Sequence, residues 1–238
     1  MRPSAWPITR QVARVLPAGL VRVLRMAWAR ARLPFGLQPL AEQWGDRGGP
    51  VHREYLEEFL QEVAVDIRGR CLEFQEDSYT TRFGGDRVGA LDILHREPGN
   101  ANATIVADLT TPNDVPSDAF DCIICTFVLH LVLDVDRMVA ELRRILKPGG
   151  VLLAAVPDIT VCYAEHGELW RFTQEGLRQL LEKHFGRGGV TVCGYGNSLT
   201  AAGWIRGLVG RDFTRAERAH HDARFTIMVC ARAVKSLG

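Results

Sequence analysis

Leu142-Arg-Arg-Ile-Leu-Lys-Pro-Gly-Gly-Val-Leu-Leu-Ala-Ala-Val-Pro157 is the stretch whose reading decides how this chain folds. Upstream of it, Met138, Val139, Leu142, Ile145 and Leu146 recur at helical spacing, which predicts an amphipathic helix over Asp136 to Leu146. Pro148 cannot continue that helix, and Gly149 and Gly150 permit a positive-φ turn. The apolar run over 150–156 then reads as a strand buried on both faces, the kind found in a parallel sheet.

The same alternation extends in both directions. A helix is expected over 52–65, with Tyr55, Leu56, Phe59, Leu60 and Val63 on one face, and Thr173 caps another that buries Leu177, Leu180, Leu181 and Phe185. Short apolar runs bounded by turn residues predict strands at 70–74, 86–92, 103–107, 121–128, 189–193 and 225–234. Seven strands alternating with helices imply an α/β fold, a mostly parallel sheet covered on both faces. Ligands of such sheets bind beyond the carboxyl ends of the strands, where the strand order reverses.

Charge divides the chain unevenly. The 238 residues carry a net charge of +1, but residues 1 to 41 hold seven arginines and no acid, leaving 22 basic against 28 acidic residues in the rest. A globally basic nucleic-acid surface is therefore not expected. The first segment, about 8–32, predicts one or two helices broken near Pro17, and the Gly- and Pro-rich 33–50 a linker, so that 1–50 form a basic helical arm and 51–238 one domain. The arm could pack on the domain, close over a site as a lid, or touch anionic lipid or a partner. The first two readings are favoured, because one weak basic helix anchors poorly alone. No run reaches the length of a spanning helix and no secretion signal is visible, which points to the cytoplasm. The six cysteines lie scattered in apolar runs and read as reduced. Cys122 and Cys125, three apart on a strand, point to opposite faces and could not share a metal, so no metal site is expected.

The stretch 142–157 resembles the helix, Lys-Pro-Gly-Gly turn and fifth strand of class I S-adenosylmethionine-dependent methyltransferases. Ser117 to His130 resembles the family's fourth strand, and Trp170-Arg-Phe-Thr173 a feature of its methyltransferase type 11 branch. Asp46-Arg-Gly, Arg82-Phe-Gly-Gly-Asp-Arg87 and Ala103-Thr-Ile-Val-Ala-Asp-Leu109 are similar to a bacterial subgroup often associated with glycosyltransferases. The resemblance implies a Rossmann-like α/β/α sandwich with a seven-stranded sheet whose last strand is antiparallel, and S-adenosylmethionine as cofactor. It also implies methyl transfer, at oxygen, to a small molecule or glycan. A homodimer is one further option, and the competing reading is a methyltransferase-fold protein that binds a partner, such as a glycosyltransferase, without methyl transfer.

Carried onto this chain, the resemblance makes Glu73 the acid that ends the first strand, but the following loop, Gln75-Glu-Asp-Ser-Tyr79, has none of the family's glycines. Either a rebuilt loop holds the cofactor, with Glu73 or Asp77 taking its ammonium group, or the site has lost it. Asp92 matches the acid that binds the ribose hydroxyls and Asp108 the one that contacts the adenine amino group. Phe74, Gln75, Ile93, Leu109, Thr126 and Phe127 complete the implied cofactor shell. His130, after the fourth strand, and His166, in the loop after the fifth, are the candidate catalytic bases, because imidazole titrates near neutrality. His220 and His221 are adjacent, so their side chains diverge.

Overall fold

The structure, a computed structural model, describes residues 16–31, 37–41, 47–163 and 167–237. Its strands are β1 Gly69–Phe74, β2 Val88–His95, β3 Ile105–Val106, β4 Phe120–Thr126, β5 Leu146–Pro157, β6 Val190–Tyr195 and β7 Met228–Val234. Six α-helices are described: α1 Ala18–Ala31, α2 Val51–Glu62, α3 Val135–Ile145, α4 Gln174–Phe185, α5 Ser198–Ile205 and α6 Arg215–Ala219. The sheet order is β3-β2-β1-β4-β5-β7-β6. β1, β2, β3, β4 and β5 pair in parallel, and β7 runs antiparallel to β5. The seven-stranded, mostly parallel sheet expected from sequence is present.

Local rules account for the elements around β5. Asp134 caps α3 by accepting from the Arg137 amide, and Met138, Val139, Leu142 and Ile145 are its buried face. The helix stops at Ile145, and β5 begins at once at Leu146, which pairs with Phe120 before an irregularity restores the register at Cys122–Val151. Gly149 has φ +77°, whereas Gly150 does not need a positive φ. It is required instead by crowding, because a Cβ there would lie 2.9 Å from the Lys147 carbonyl oxygen and 3.0 Å from that of Phe120. Thr173 caps α4 by accepting from the Gly176 amide. The core gathers Leu72, Phe120, Ile123, Leu142, Leu152, Leu177 and Val229 around the central strands.

Several strand limits differ from the sequence reading: β3 is only Ile105–Val106, β5 begins at Leu146 rather than near 150, and β7 at Met228 rather than near 225. β2 spans Val88–His95 rather than 86–92, so Asp92 lies inside the strand, opposite Leu72. The chain forms two compact units, each assembled from separate stretches of sequence. One takes in the described residues up to Tyr55 together with Ile159–Val161 and Tyr195–Ile227. The other comprises Leu56–Asp158, Cys162–Gly194 and the residues from Met228 onward. The first unit is tied together over long sequence distances by the ion pairs Arg30–Glu217, Arg47–Asp212 and Arg218–Glu54. No described helix is long and apolar enough to cross a membrane.

Candidate functional site

A cavity of about 610 Å³ opens at the carboxyl ends of β1, β2, β3 and β4, around the switch where chain order reverses between β1 and β4. One wall is polar: Gln75 after β1, His95 and Arg96 at the end of β2, and Asp108 and Thr110 after β3. The facing wall is apolar, from Val128, Leu131, Leu133, Met138 and Leu169.

The loop after β1 is held by its own backbone. Glu73 is buried, and its two carboxylate oxygens accept from the Tyr79 amide at 3.2 Å and the Thr80 amide at 2.7 Å. Burial pushes the Glu73 carboxyl up, and the Thr80 and Tyr79 bonds offset only part of that. Gln75 adopts φ +70°, a left-handed conformation that the glycine it replaces would take without strain. Its amide donates to the Leu94 carbonyl at 3.0 Å, and its carbonyl accepts from Asn100 Nδ2 at 2.7 Å. Asp77 lies on the exposed part of this loop, and its carbonyl accepts from the Thr81 amide.

At the end of β2 the occupant is a histidine and an arginine. Asp92 accepts from Arg70 Nε at 2.7 Å and from the Thr104 hydroxyl at 2.9 Å, and it does not line the cavity. Neither does Ile93, whose amide donates to the Thr104 hydroxyl. The strand continues three residues past Asp92, and this displaces the expected ribose acid from the cleft. His95 Nδ1 lies 2.6 Å from the Glu97 carbonyl oxygen. The Glu97 amide nitrogen lies 3.3 Å from the same Nδ1, so Glu97 offers this ring nitrogen an acceptor and a donor, and Nε2 takes no part in that contact.

Asp108 does line the cavity. Its carboxylate accepts from the Thr110 hydroxyl at 2.6 Å and amide at 2.8 Å, and Arg96 Nε lies 3.2 Å from it. Thr110 first, and Arg96 after it, hold the Asp108 carboxyl below the usual range. At the end of β4, Thr126 pairs with Ala155 and Phe127 turns the chain with φ +55°. Val128 is the first residue of this segment on the cavity wall. Gln75 and Phe127 are two of the three non-glycine residues with positive φ among the described residues.

His130 is buried and is not on the cavity wall. Its Nε2 lies 3.8 Å from Glu168 Oε1, and its carbonyl accepts from the Leu169 and Trp170 amides. Burial would raise Glu168, but Arg171 at 2.5 Å and the Tyr163 amide more than offset it and hold the carboxyl low. His130 thus secures the segment that carries Leu169 instead of facing the cavity. His166, with Glu165, lies outside the described residues, as does Asp46. Of the expected cofactor shell, Phe74, Gln75, Asp108 and Leu109 line the cavity, and Glu73, Asp77, Asp92, Ile93, Thr126 and Phe127 do not. His95, Arg96 and Thr110 were not anticipated. The signal for the first two was available: Ile93 and Leu94 continue the apolar run, and the turn pair Pro98-Gly99 comes only later. Among the described residues, no group of three His, Cys, Asp or Glu side chains could hold a metal ion.

Residues 45–154 match the family model of a methyltransferase domain. The ubiquinone/menaquinone biosynthesis C-methyltransferase UbiE of Hahella chejuensis is 27% identical over 108 residues, covering 34% of this chain and 43% of that protein. The chain thus spans less than half the length of this curated relative. Among solved structures, the [4+2]-cyclase SpnF aligns with a TM-score of 0.51 at 16% identity, over 92% of this chain and 96% of that one. An S-adenosylmethionine-dependent methyltransferase of Thermotoga maritima, described as a possible histamine N-methyltransferase, aligns with a TM-score of 0.51 at 15% identity, over 92% and 100%. At such identities the likeness is one of fold.

Proposed function

We propose that this chain, which has the class I S-adenosylmethionine-dependent methyltransferase fold, holds S-adenosylmethionine in the cavity at the ends of β1 to β4 and methylates an oxygen of a small molecule or glycan. The observation that carries the reading is that Gln75, on the cavity wall, and Phe127, directly before the wall residue Val128, both adopt strained left-handed conformations at the fold's switch point. Strain of that kind persists only where the surroundings enforce it, and it concentrates at ligand sites.

The wall chemistry fits the cofactor. Asp108, kept ionised by Thr110 and Arg96, suits the adenine amino group as an acceptor. His95, on the wall at the end of β2, offers a ring nitrogen to a ribose hydroxyl, taking over from the acid displaced into β2. Backbone at Phe74 and Gln75 borders the remaining length of the cavity, with the loop fixed by Glu73 and Asn100. When bound, the cofactor supplies an electrophilic methyl group on a sulfonium. The protein's part is to align the acceptor, exclude water and take up the hydroxyl proton. His166, directly before the cavity residue Gly167, is the proposed base, and His130 is a positioning residue. Trp170 favours a glycan acceptor: it directly follows the wall residue Leu169, it is 41% exposed, and its indole N–H is fixed to the Val132 carbonyl at 2.8 Å.

Calorimetric titration of the full chain with S-adenosylmethionine tests the reading. One-to-one binding is expected, with His95→Leu weakening it about tenfold, the worth of one good hydrogen bond. No heat at millimolar cofactor would overturn it. Labelled-methyl transfer to a panel of sugars and hydroxylated small molecules then identifies the acceptor, and His166→Asn should abolish turnover with cofactor affinity kept.

A second reading, a fold retained for partner binding without methyl transfer, is favoured by the glycine-free loop and by His95 and Arg96 at the end of β2. The similarity in fold to a cyclase illustrates that this architecture does not dictate the reaction. Absent cofactor binding, together with recovery of a glycosyltransferase in pull-downs, would select it.

A further inference from the structure

A second cavity, of about 730 Å³, lies within the first compact unit and shares no lining residue with the first cavity. Arg22 and Arg25 of α1 face it together with Arg211 and Arg218, while Glu54 and Asp212 are its carboxylates. Arg22 and Arg25 are three apart and so share one face of the helix. Four guanidinium groups against two carboxylates leave an excess of positive charge around one space.

The carboxylates are also committed to other tasks. Asp212, almost fully buried, is paired with Arg47 at 2.9 Å and accepts from the Val209 amide at 3.1 Å. Glu54 is paired with Arg218 at 3.0 Å, and Arg218 also donates to the Gly210 carbonyl at 2.5 Å. These two acids therefore fix the frame of the cavity more than they neutralise Arg22 and Arg211. Burial first, with Arg25 and Arg47 adding to it against Asp212, lowers the basicity of the Arg211 guanidinium. Like charges have been gathered here at a cost that an incoming anion would return. Leu16 and Val21 form an apolar side to the same cavity.

We propose that this cavity binds a phosphate ester, as a monoester or diphosphate, with Arg22 and Arg211 forking its oxygens and the ester's apolar portion lying along the start of α1. Arginine suits this role because its planar donors match phosphate oxygens in pairs. The phosphate could belong to a soluble ester or to a lipid headgroup, and the two sources are separable by experiment.

The full chain is titrated with inorganic pyrophosphate in a calorimeter, and in parallel floated with vesicles of phosphatidylcholine with and without phosphatidic acid. Saturable pyrophosphate binding is expected, weakened about tenfold or more in both Arg211→Gln and Arg22→Gln. Arg224→Gln, which removes an exposed arginine paired with Asp222 outside the cavity, should leave it unchanged. Flotation with phosphatidic acid that depends on Arg211 assigns the phosphate to a lipid, and pyrophosphate binding without such flotation assigns it to a soluble ester. Absence of both overturns the proposal, as does binding that persists undiminished in Arg22→Gln and Arg211→Gln. Circular dichroism of each variant shows whether a loss of binding reflects the site; a variant that loses its fold is replaced by Arg→Lys at the same position, which keeps the charge but not the fork and should still weaken binding.

Discussion

Substituting alanine separately at Gly149 and Gly150 sets two different physical costs side by side in the turn that directs β5 into the sheet. At Gly149 the backbone has φ +77°, and an added Cβ would meet only the Leu237 Cδ2 atom at 3.1 Å, the end of an exposed side chain that can move aside. The cost there is that of a left-handed residue with a Cβ, about 1–2 kcal/mol. At Gly150 the added Cβ would lie 2.9 Å from the Lys147 carbonyl oxygen and 3.0 Å from the Phe120 carbonyl oxygen, both backbone atoms. Moving either shifts the junction at which Phe120 pairs with Leu146 before the register resumes at Val151. Overpacking a close-fitting site costs about 1–3 kcal/mol, and two rigid neighbours place Gly150→Ala at the upper end of that range. For a chain of this size, such a loss corresponds to a fall in Tm of about 6–12 °C. Urea unfolding followed by circular dichroism measures both variants, with unchanged m-values showing that stability rather than compactness has changed. Gly149→Ala more destabilising than Gly150→Ala, or both within about 0.5 kcal/mol of the parent, would refute the reasoning from crowding.

Gln75→Gly should stabilise the fold slightly or leave it unchanged, because relief of the left-handed strain opposes the greater freedom of glycine in the unfolded chain, yet weaken S-adenosylmethionine binding by loosening the loop, as calorimetry and a melt together would show. The Arg30–Glu217 pair gives an acid-side signature. Glu217 is brought down to about 2, by Arg30 foremost, so its stabilising contribution is complete above its unfolded range near 4.5 and is lost as pH falls toward 2. In Arg30→Leu that part of the acid-side loss should largely disappear, and urea midpoints measured across this interval check it. Glu73→Ala leaves the Tyr79 and Thr80 amides without their carboxylate acceptor, and it should lower cofactor affinity through the loop as well as lower the urea midpoint. A variant that binds the cofactor as the parent does would show that the loop's fixation is immaterial.

Much of the architecture was legible because its causes are local. Pro148 cannot continue the helix that ends at Ile145, Thr173 caps α4 with its own hydroxyl, and the apolar runs mark buried strands whatever they pair with. The cofactor shell was legible only in part. Phe74, Gln75, Asp108 and Leu109 follow directly from strand ends that the sequence locates well, and these line the cavity. Asp92 did not, because the end of β2 is set by its partners: Leu94 pairs with both Phe74 and Ile105, and His95 with Val106, which carries the strand past the acid. Arg70 and Thr104, far apart in sequence, then occupy its carboxylate.

The sequence by itself determined the class of fold, the direction of the chain through β5 and the presence of a ligand cleft beyond the strand ends. Each rests on periodicity, capping or backbone freedom within a short window. Tertiary structure alone decided that His95 and Arg96 rather than Asp92 line that cleft, that Glu73 is spent on the Tyr79 and Thr80 amides, and that Arg22 and Arg25 meet Arg211 and Arg218 around a common cavity. Those outcomes depend on strand register and on contacts between residues as far apart as Arg22 and Phe213, 191 positions in sequence, and no local pattern encodes them.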